Sequence, residues 1–449
     1  MAKQYDVIVV GAGPAGAMAA KTAGENGLKV ALIERKQDIG NIGRSCCMML
    51  LVVNEYYFGE RMGINKRDGR LNFPVNGFSV KLHGGYKDLY AYHIYAPNGH
   101  RIALGDADKE RNQENPYRIA LVHDKGALVK GLVDEAVKAG VDLFSGTNAT
   151  DLRKKKNGVS VVTDKDTLNG TFIIAADGIN SRMADILGFN NSRESLGLFL
   201  VYGKKLTGLK GFDQNAFSQI LYGMPDPAFI GISPLANEDG FHVVAIGLDP
   251  GINLEKTLNN VMTKGTFAPQ FKSARVTGQH AAVERLLTPI YEPYKDNVLL
   301  IGDVCWTQEA ENTGCLMAGW RAAHSVTEAL LEGNVSKEGV KTYLDWWKRS
   351  YCESYNYASY IKNFILSYIM TTDDINYFLG HFKKPFPGKL NAYTTFDMLG
   401  AELPQVLPKM AVDRPTIIPK ILAFNMAPMN VLFAELAKAA DAVLKKIEH

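Results

Sequence analysis

The stretch IGDVCWTQEAENTGCL at 301–316 places carboxyl and thiol groups close together after an apolar run. A carboxyl group at Glu309 or Glu311, if buried there, would have a raised pKa and would exchange protons with a substrate. The other interpretation is that these carboxylates mark the start of a helix and complement its dipole. Cys315 lies at the expected start of the same helix, which favours the thiolate form. The loop therefore predicts either acid–base and thiol chemistry or an ordinary helix start.

The elements that must position such groups begin with a β-α-β unit. Residues 5–10 read YDVIVV, an apolar and β-branched run typical of a buried parallel strand. GAGPAG follows at 11–16, helical spacing continues to Gly27, and VALIE at 30–34 forms the second strand. The unit predicts a Rossmann-like start to the fold.

The GxGxxG pattern between this strand and this helix is typical of a dinucleotide-binding turn. Gly11 permits the tight turn, Gly13 lets the backbone approach a pyrophosphate, and Gly16 lets the helix pack closely on the strand. Free N–H groups at the start of the helix attract phosphates, and Glu34 accepts hydrogen bonds from ribose hydroxyls. The cofactor is NAD or FAD, and Pro14 favours FAD. The predicted contacts are Gly11, Gly13, Pro14, Ala15, Gly16, Glu34 and Arg35.

Length, charge and cysteine content indicate the number of lobes, the kind of partner and the location of the protein. The chain has 449 residues, which predicts two or three lobes. Its net charge of +3 comes from 50 basic and 47 acidic residues, a balance that argues against nucleic acid as a partner. Five cysteines and the lack of a leader segment predict a cytoplasmic protein. The tail at 417–447 is apolar with lysines, so peripheral membrane contact is an alternative to intramolecular packing.

Two later motifs suggest a family. ADGINS at 176–181 leaves an apolar strand, and LLIGD at 299–303 ends another. Together with GAGPAG and Glu34, they make the chain resemble the FAD-dependent oxidoreductases of the para-hydroxybenzoate hydroxylase fold, a group that includes the geranylgeranyl reductases. The resemblance covers residues 1–335. It implies that Asp303 binds the ribityl chain of FAD, where a charged acceptor strengthens bonds from polyol hydroxyls.

The resemblance implies further cofactor contacts. Arg118 corresponds to an arginine near the FAD phosphates, although it is equally well interpreted as a surface arginine. Arg44 lies in a region that wraps FAD, and Asp177 lies where the chain leaves the sheet. A helix starting near Gly314 would direct its N-terminus at the flavin, where its dipole stabilises negative charge on the reduced ring.

The sequence differs in two places from the families that it resembles. The loop at 309–315 reads EAENTGC, without the usual proline and with a cysteine in place of a glycine. Residues 229–234 read FIGISP where the reductases have Tyr-x-Trp-x-Phe-Pro. Phe229 fits that pattern, whereas Gly231 and Ser233 are much smaller and leave more room or admit a differently shaped substrate. Phe229 and Gly231 are the predicted substrate contacts.

The predicted catalytic residues are three thiols and one carboxyl group. The resemblance places Cys46 and Cys47 on the flavin side, where a redox or acid role competes with a role as small buried hydrophobic residues. Glu309 and Cys315 complete the set. The chain has no CxxC or CxxH pair, so no metal site is predicted.

The predicted fold class is α/β, with a discontinuous Rossmann-like FAD-binding domain, an antiparallel-sheet substrate domain and a helical C-terminal region. The predicted limits are 1–80, 111–190 and 285–335 for the FAD-binding domain, 81–110 and 191–284 for the substrate-binding sheet domain, and 336–449 for the helical region.

Three functions remain open at this point. The first is an FAD-dependent oxidoreductase that acts on a carbon–carbon double or single bond of a largely apolar substrate, with hydride exchange through flavin N5. Its electron donor is NAD(P)H or a ferredoxin-type carrier. The second is a flavin monooxygenase that hydroxylates an aromatic substrate with NAD(P)H and O2. The third is a non-catalytic lipid-binding protein on the same fold.

Overall fold

The computed structural model describes residues 3–42, 48–51, 56–156, 158–306 and 312–447. The strands are, in chain order, β1 Gln4–Val10, β2 Val30–Glu34, β3 Met49–Leu51, β4 Gly63–Asn65, β5 Arg70–Phe73, β6 Phe78–Lys81, β7 Tyr86–Leu89, β8 Ala91–Tyr95, β9 Arg101–Leu104, β10 Ala120–His123, β11 Asp142–Ser145, β12 Ala149–Lys155, β13 Gly158–Thr163, β14 Thr167–Ala175, β15 Ser195–Thr207, β16 Ala216–Tyr222, β17 Ala228–Pro234, β18 Gly240–Gly247, β19 Arg275–Leu287, β20 Tyr294–Lys295 and β21 Val298–Leu300.

The helices alternate with these strands early in the chain and dominate its end. They are α1 Pro14–Glu25, α2 Ala107–Glu110, α3 Lys125–Lys138, α4 Arg182–Ile186, α5 Leu254–Thr263, α6 Ala268–Phe271, α7 Thr313–Leu331, α8 Lys341–Trp347, α9 Tyr357–Ile369, α10 Thr372–Leu379, α11 Asp397–Asp413, α12 Ile418–Met426, α13 Met429–Leu432 and α14 Ala434–Ile447. No helix in the described ranges is both long and apolar enough to cross a membrane.

The first sheet is built around β1, which lies between β2 and β14 and runs parallel to both. β11 extends the sheet beyond β2, and β21 pairs with the end of β14, again in parallel. Strands of a parallel sheet that helices cover are typically apolar on both faces. Val7, Ile8 and Val9 of β1 are accordingly fully buried. This arrangement confirms the Rossmann-like first domain.

Helix α1 packs closely against α7 because both present small residues at their contact. A Cβ atom at Gly319 of α7 would lie 2.2 Å from the carbonyl oxygen of Ala15. The close approach brings the N-terminal part of α7 next to the helix that follows β1. Two separate parts of the sequence thereby meet at one edge of the first sheet.

The second sheet has the strand order β19-β15-β18-β17-β16-β8-β9 and is antiparallel except where β8 pairs with β16. One face packs against α5 through Leu254 and Leu258, in a cluster with Ile230. The other face meets α9, where the rings of Phe229 and Phe364 have centroids 5.3 Å apart. The predicted fold class, α/β with an antiparallel second sheet and a helical end, is confirmed, whereas the domain limits stay a prediction.

Two elements of the first domain end at defined residues. Helix α3 ends at Lys138, before the strand β11. Strand β14 ends at Ala175. Gly178 adopts φ +89°, so the backbone turns out of the sheet there and cannot continue the strand.

Candidate functional site

The GAGPAG turn connects β1 to α1 without room for larger residues at two of its glycines. Gly11 has φ +96°, and a Cβ atom there would lie 2.4 Å from the carbonyl oxygen of Ala176. A Cβ atom at Gly16 would lie 1.9 Å from the carbonyl oxygen of Gly11. Gly13 differs, since a Cβ atom there would meet no protein atom within 4 Å. The turn is therefore tight toward the protein and open on its outer side.

Helix α1 begins beside this open side. Gly13 is its N-cap and Pro14 is its first residue, a position where the missing N–H of proline costs no hydrogen bond. The remaining free N–H groups and the dipole make the helix start an attractive site for an anion.

Glu34 ends β2 and ties the turn to the neighbouring strand. Its side chain is buried, and its Oε2 accepts a hydrogen bond of 2.8 Å from the backbone N–H of Ala12. Its Oε1 accepts one of 2.9 Å from the backbone N–H of Lys36. The carboxylate thus fixes the glycine turn as well as facing the cavity beside it.

A cavity of about 370 Å³ lies at the carboxyl ends of β1, β2 and β14. This edge of an open parallel sheet is where such folds bind ligands. The structure brings several predicted cofactor residues together in its lining, namely Gly11, Gly13, Pro14, Glu34, Arg35 and Asp177. Ala15 and Gly16 are buried behind the turn, and Ala15 lies against Gly302, where a Cβ atom would be 3.0 Å away.

Sequence reasoning missed three basic residues that line this cavity: Lys36, Lys125 and Arg182. With Arg35 they surround the cavity with positive charge, which suits a diphosphate. Lys125 is only 3% exposed. A signal was present, because Lys36 and Lys125 each come two residues after the end of a strand.

Asp177 lines the cavity, but its carboxylate is engaged within its own loop. Oδ1 accepts a 2.6 Å hydrogen bond from the Ser181 hydroxyl, and Oδ2 accepts one of 3.2 Å from the backbone N–H of Met183. Burial raises the pKa of Asp177, while these two hydrogen bonds act in the opposite direction. The carboxylate therefore stabilises the turn into α4, and its contact with FAD stays a prediction.

Arg118 pairs with an acidic residue on the neighbouring strand. Its Nε lies 2.9 Å from Oδ1 of Asp88 in β7, and both side chains are buried. Asp88 also accepts a hydrogen bond of 3.1 Å from the Tyr90 hydroxyl. Arg118 is not among the residues that line the cavity. The interpretation of Arg118 as a surface arginine is wrong, because its side chain is buried. Its contact with the FAD phosphates remains a prediction.

The Gly-Asp motif and the start of α7 come together as expected. Asp303 lies in a short turn after β21 and is buried, and the thiol of Cys315 donates a weak 4.0 Å hydrogen bond to its Oδ1. Gly314 is the second residue of α7, which begins at Thr313. Burial raises the pKa of the nearby Cys305 thiol, which favours its protonated form.

Several predicted residues lie outside the described part of the chain. They are Arg44, Cys46, Cys47, Glu309 and Glu311. Their cofactor and catalytic roles stay predictions.

The predicted substrate contacts lie on the face of the second sheet that meets α9. Phe229 packs on Phe364, and Gly231 follows two residues later on the same face. A Cβ atom at Gly231 would lie 3.2 Å from the ring of Phe229 and 3.3 Å from the ring of Phe217. Two aromatic rings therefore fill much of the room that the small residue leaves.

The geometry fits the diphosphate and ribose of FAD. The open outer side of Gly13, the start of α1 and the basic residues would hold the diphosphate, and Glu34 would face the ribose. Asp303 and the start of α7 would hold the part of FAD nearer the flavin. The fold and the site thus define a dinucleotide-binding flavoprotein.

Comparison with known proteins specifies the family. Residues 4–307 match the FAD binding domain family, and the chain belongs to it. FAD is therefore the cofactor, and the chain is an FAD-dependent oxidoreductase, which confirms the prediction made from the family resemblance.

Named relatives and solved structures agree with this assignment. The chain is 24% identical over 416 residues to digeranylgeranylglycerophospholipid reductase 2 of Methanosphaera stadtmanae, covering 91% of this chain and 98% of the relative. It is 25% identical over 390 residues to digeranylgeranylglycerophospholipid reductase of Methanothrix thermoacetophila, covering 83% and 89%. The fold is similar to a geranylgeranyl bacteriochlorophyll reductase-like protein from Thermoplasma acidophilum, with a TM-score of 0.69, 17% identity and coverage of 91% and 98%.

Proposed function

We propose that the chain reduces carbon–carbon double bonds in the isoprenoid chain of a lipid. The observation that carries this proposal is its similarity along nearly the whole length of a digeranylgeranylglycerophospholipid reductase. The aromatic face of the second sheet supports it. Phe199 and Phe229 both contact Phe364 of α9, with ring centroids 4.7 Å and 5.3 Å apart. Such a surface would receive an apolar chain and exclude water.

Different residues of the chain would bind the cofactor and orient the substrate. FAD, when bound, supplies a hydride for one carbon of the double bond. Gly13, Lys125 and Glu34 would hold the diphosphate and ribose and so fix the position of the cofactor. The rings of Phe199 and Phe229 would hold the isoprenoid chain in a fixed orientation beside it.

The second carbon of the double bond needs a proton. Cys315 is our candidate donor among the described residues, because its Sγ is buried and hydrogen-bonded to Oδ1 of Asp303. Cys46, Cys47 and Glu309 remain further candidates. The electron donor would be NAD(P)H or a ferredoxin-type carrier.

Contact with a lipid surface would deliver such a substrate. Exposed apolar residues on the C-terminal helices support this part of the proposal, for example Val412 at 82% and Met426 at 77% exposure.

The proposed reaction predicts a defined product. Holoenzyme reduced anaerobically with dithionite and given a geranylgeranyl lipid should yield products that have gained two hydrogen atoms per reduced bond, measured by mass spectrometry. The fully saturated lipid is the control and should be unchanged. A product that contains an added oxygen atom, formed only when O2 is admitted, would instead identify a monooxygenase.

Substitution of Cys315 tests the proton donor. Cys315→Ala should keep its flavin and lower kcat by about 100-fold, the usual contribution of a positioned acid. Cys315→Ser keeps an O–H donor toward Asp303 and should lose less. Cys305→Ser, at another buried thiol nearby in the sequence, serves as the matched control. Wild-type turnover in Cys315→Ala would exclude the role.

A further inference from the structure

The second sheet carries polar residues on the same face as the proposed substrate contacts. Side chains alternate between the two faces of a strand, so Phe229, Gly231 and Ser233 of β17 share one face. We call it the inner face, because Phe229 packs on Phe364 of α9 there. Gln219 of β16 is paired directly with Gly231, which places its side chain on the inner face as well.

The amide of Gln219 is fully buried and has no hydrogen-bond partner. Its exposure is 0%, and neither Oε1 nor Nε2 is within hydrogen-bonding geometry of any group in the described part of the chain. Ser233 is 2% exposed, and its hydroxyl likewise finds no partner among the described residues. Leaving such groups unsatisfied costs about 1–3 kcal/mol each. Packing alone favours apolar side chains at both positions.

The opposite face of the same strands is mainly apolar, although Ser218 of β16 is also fully buried there. Ile220 of β16 and Ile230 of β17 are fully buried there, in a cluster with Leu254 and Leu258 of α5. The amide of Gln219 therefore forms no hydrogen bond that would stabilise the second sheet. A ligand that enters the inner face would satisfy it.

The surroundings of the two groups favour an uncharged ligand group. Ser233 is paired with His242 of β18, whose Nε2 lies 3.1 Å from Nε2 of His280. Burial and the nearby Lys205 both lower the pKa of His280, so its imidazole is neutral at neutral pH. Lys205, paired with His242 in the sheet, is a cation near these histidines, but Gln219 and Ser233 themselves carry no charge, and an amide and a hydroxyl suffice for a neutral oxygen.

We propose that Gln219 and Ser233 together bind an uncharged oxygen of the substrate, as found in a hydroxyl, ether or carbonyl group. The amide supplies both a donor and an acceptor, and the hydroxyl supplies either, so the pair satisfies an oxygen of any of these kinds. Phe229 on the same face would meet the apolar part of the molecule. The preferred substrate is then an unsaturated lipid with an oxygen attached to its apolar chain. This deepens the proposed function by specifying the substrate class.

Binding of three matched probes to the oxidised holoenzyme tests the proposal. The probes are geranylgeraniol, the corresponding hydrocarbon without oxygen, and geranylgeranyl phosphate, each titrated without an electron donor and followed by the flavin absorbance or by calorimetry. Wild-type protein should bind the alcohol roughly 10–100-fold more tightly than the hydrocarbon. Gln219→Leu should lose most of this preference by weakening the alcohol and leaving the hydrocarbon unchanged, and Ser233→Ala should lose part of it.

Ser218→Ala is the matched control, because Ser218 is also fully buried but lies on the opposite face of β16. It should keep the preference for the alcohol. Ligand-free Gln219→Leu should melt no lower than wild type, since the substitution removes a buried amide without a partner. A fall of about 5 °C or more would assign Gln219 a structural role and overturn the proposal.

Two further results would also overturn it. One is an unchanged preference for the alcohol in Gln219→Leu. The other is tightest binding of the phosphate, lost in Lys205→Met and kept in Gln219→Leu, which would identify a charged headgroup as the ligand. Because these measurements need no turnover, a protein that shows the Gln219-dependent preference but reduces none of the probes would retain the oxygen site and contradict only the reductase function.

Discussion

Gly13→Val is expected to give a folded protein that is purified without its flavin. A Cβ atom at this position would meet no protein atom within 4 Å, and the backbone has φ −68°, which any residue adopts. The apo-protein should therefore lose only about 1 kcal/mol, from weaker capping of α1. The branched side chain occupies space that the diphosphate needs, so FAD should bind roughly 100-fold more weakly or worse, a loss of about 3 kcal/mol.

The measurement is the flavin-to-protein absorbance ratio together with thermal unfolding. Gly63→Val is the matched control, since position 63 in β4 is equally open and is not part of the cavity lining. Gly16→Ala provides the contrast, because its Cβ atom would lie 1.9 Å from the carbonyl oxygen of Gly11 and should disturb the fold itself. Full flavin content in Gly13→Val would place the diphosphate elsewhere.

The parts of the fold that were predictable from sequence are those set by neighbours along the chain. The turn at Gly11, the start of α1 at Pro14 and the strand end at Glu34 all lie within one β-α-β unit, where spacing alone fixes their arrangement. Asp303 lies three residues after the apolar strand β21, and its proposed contact with FAD came from the family resemblance.

The rest of the site depends on which distant elements become neighbours. Lys125 reaches the cavity because α3 packs beside α1, and its position two residues after β10 indicated only that it lies near the end of a strand. The small size of Gly231 predicted extra room at this position. The register of β16 and β17 instead places Phe217 of the adjacent strand beside it. Gln219 owes its position to that same register. Pairing across a sheet is specified by tertiary packing, so these residues required the structure.

Arg118→Met is expected to lower the free energy of unfolding by about 3 kcal/mol, because the buried carboxylate of Asp88 then keeps only the exposed Lys66, 3.8 Å from its Oδ2, as a cationic partner. The two side chains are 11% and 10% exposed, and their charged atoms lie 2.9 Å apart. Urea unfolding of the apo-protein measures the loss. A decrease below about 1 kcal/mol, typical of exposed ion pairs, would contradict the structural role of this pair.

The double variant Asp88→Asn/Arg118→Met separates that role from cofactor binding. If Arg118 acts only through Asp88, removing both charges should restore part of the stability, because no uncompensated buried charge remains. Flavin content should then stay normal in both variants at low temperature. If Arg118 instead contacts the FAD phosphates, both variants lose flavin, whereas Asp88→Asn alone retains it. We expect the first outcome, since Arg118 pairs with Asp88 and the cavity already has Arg35, Lys125 and Arg182 in its lining.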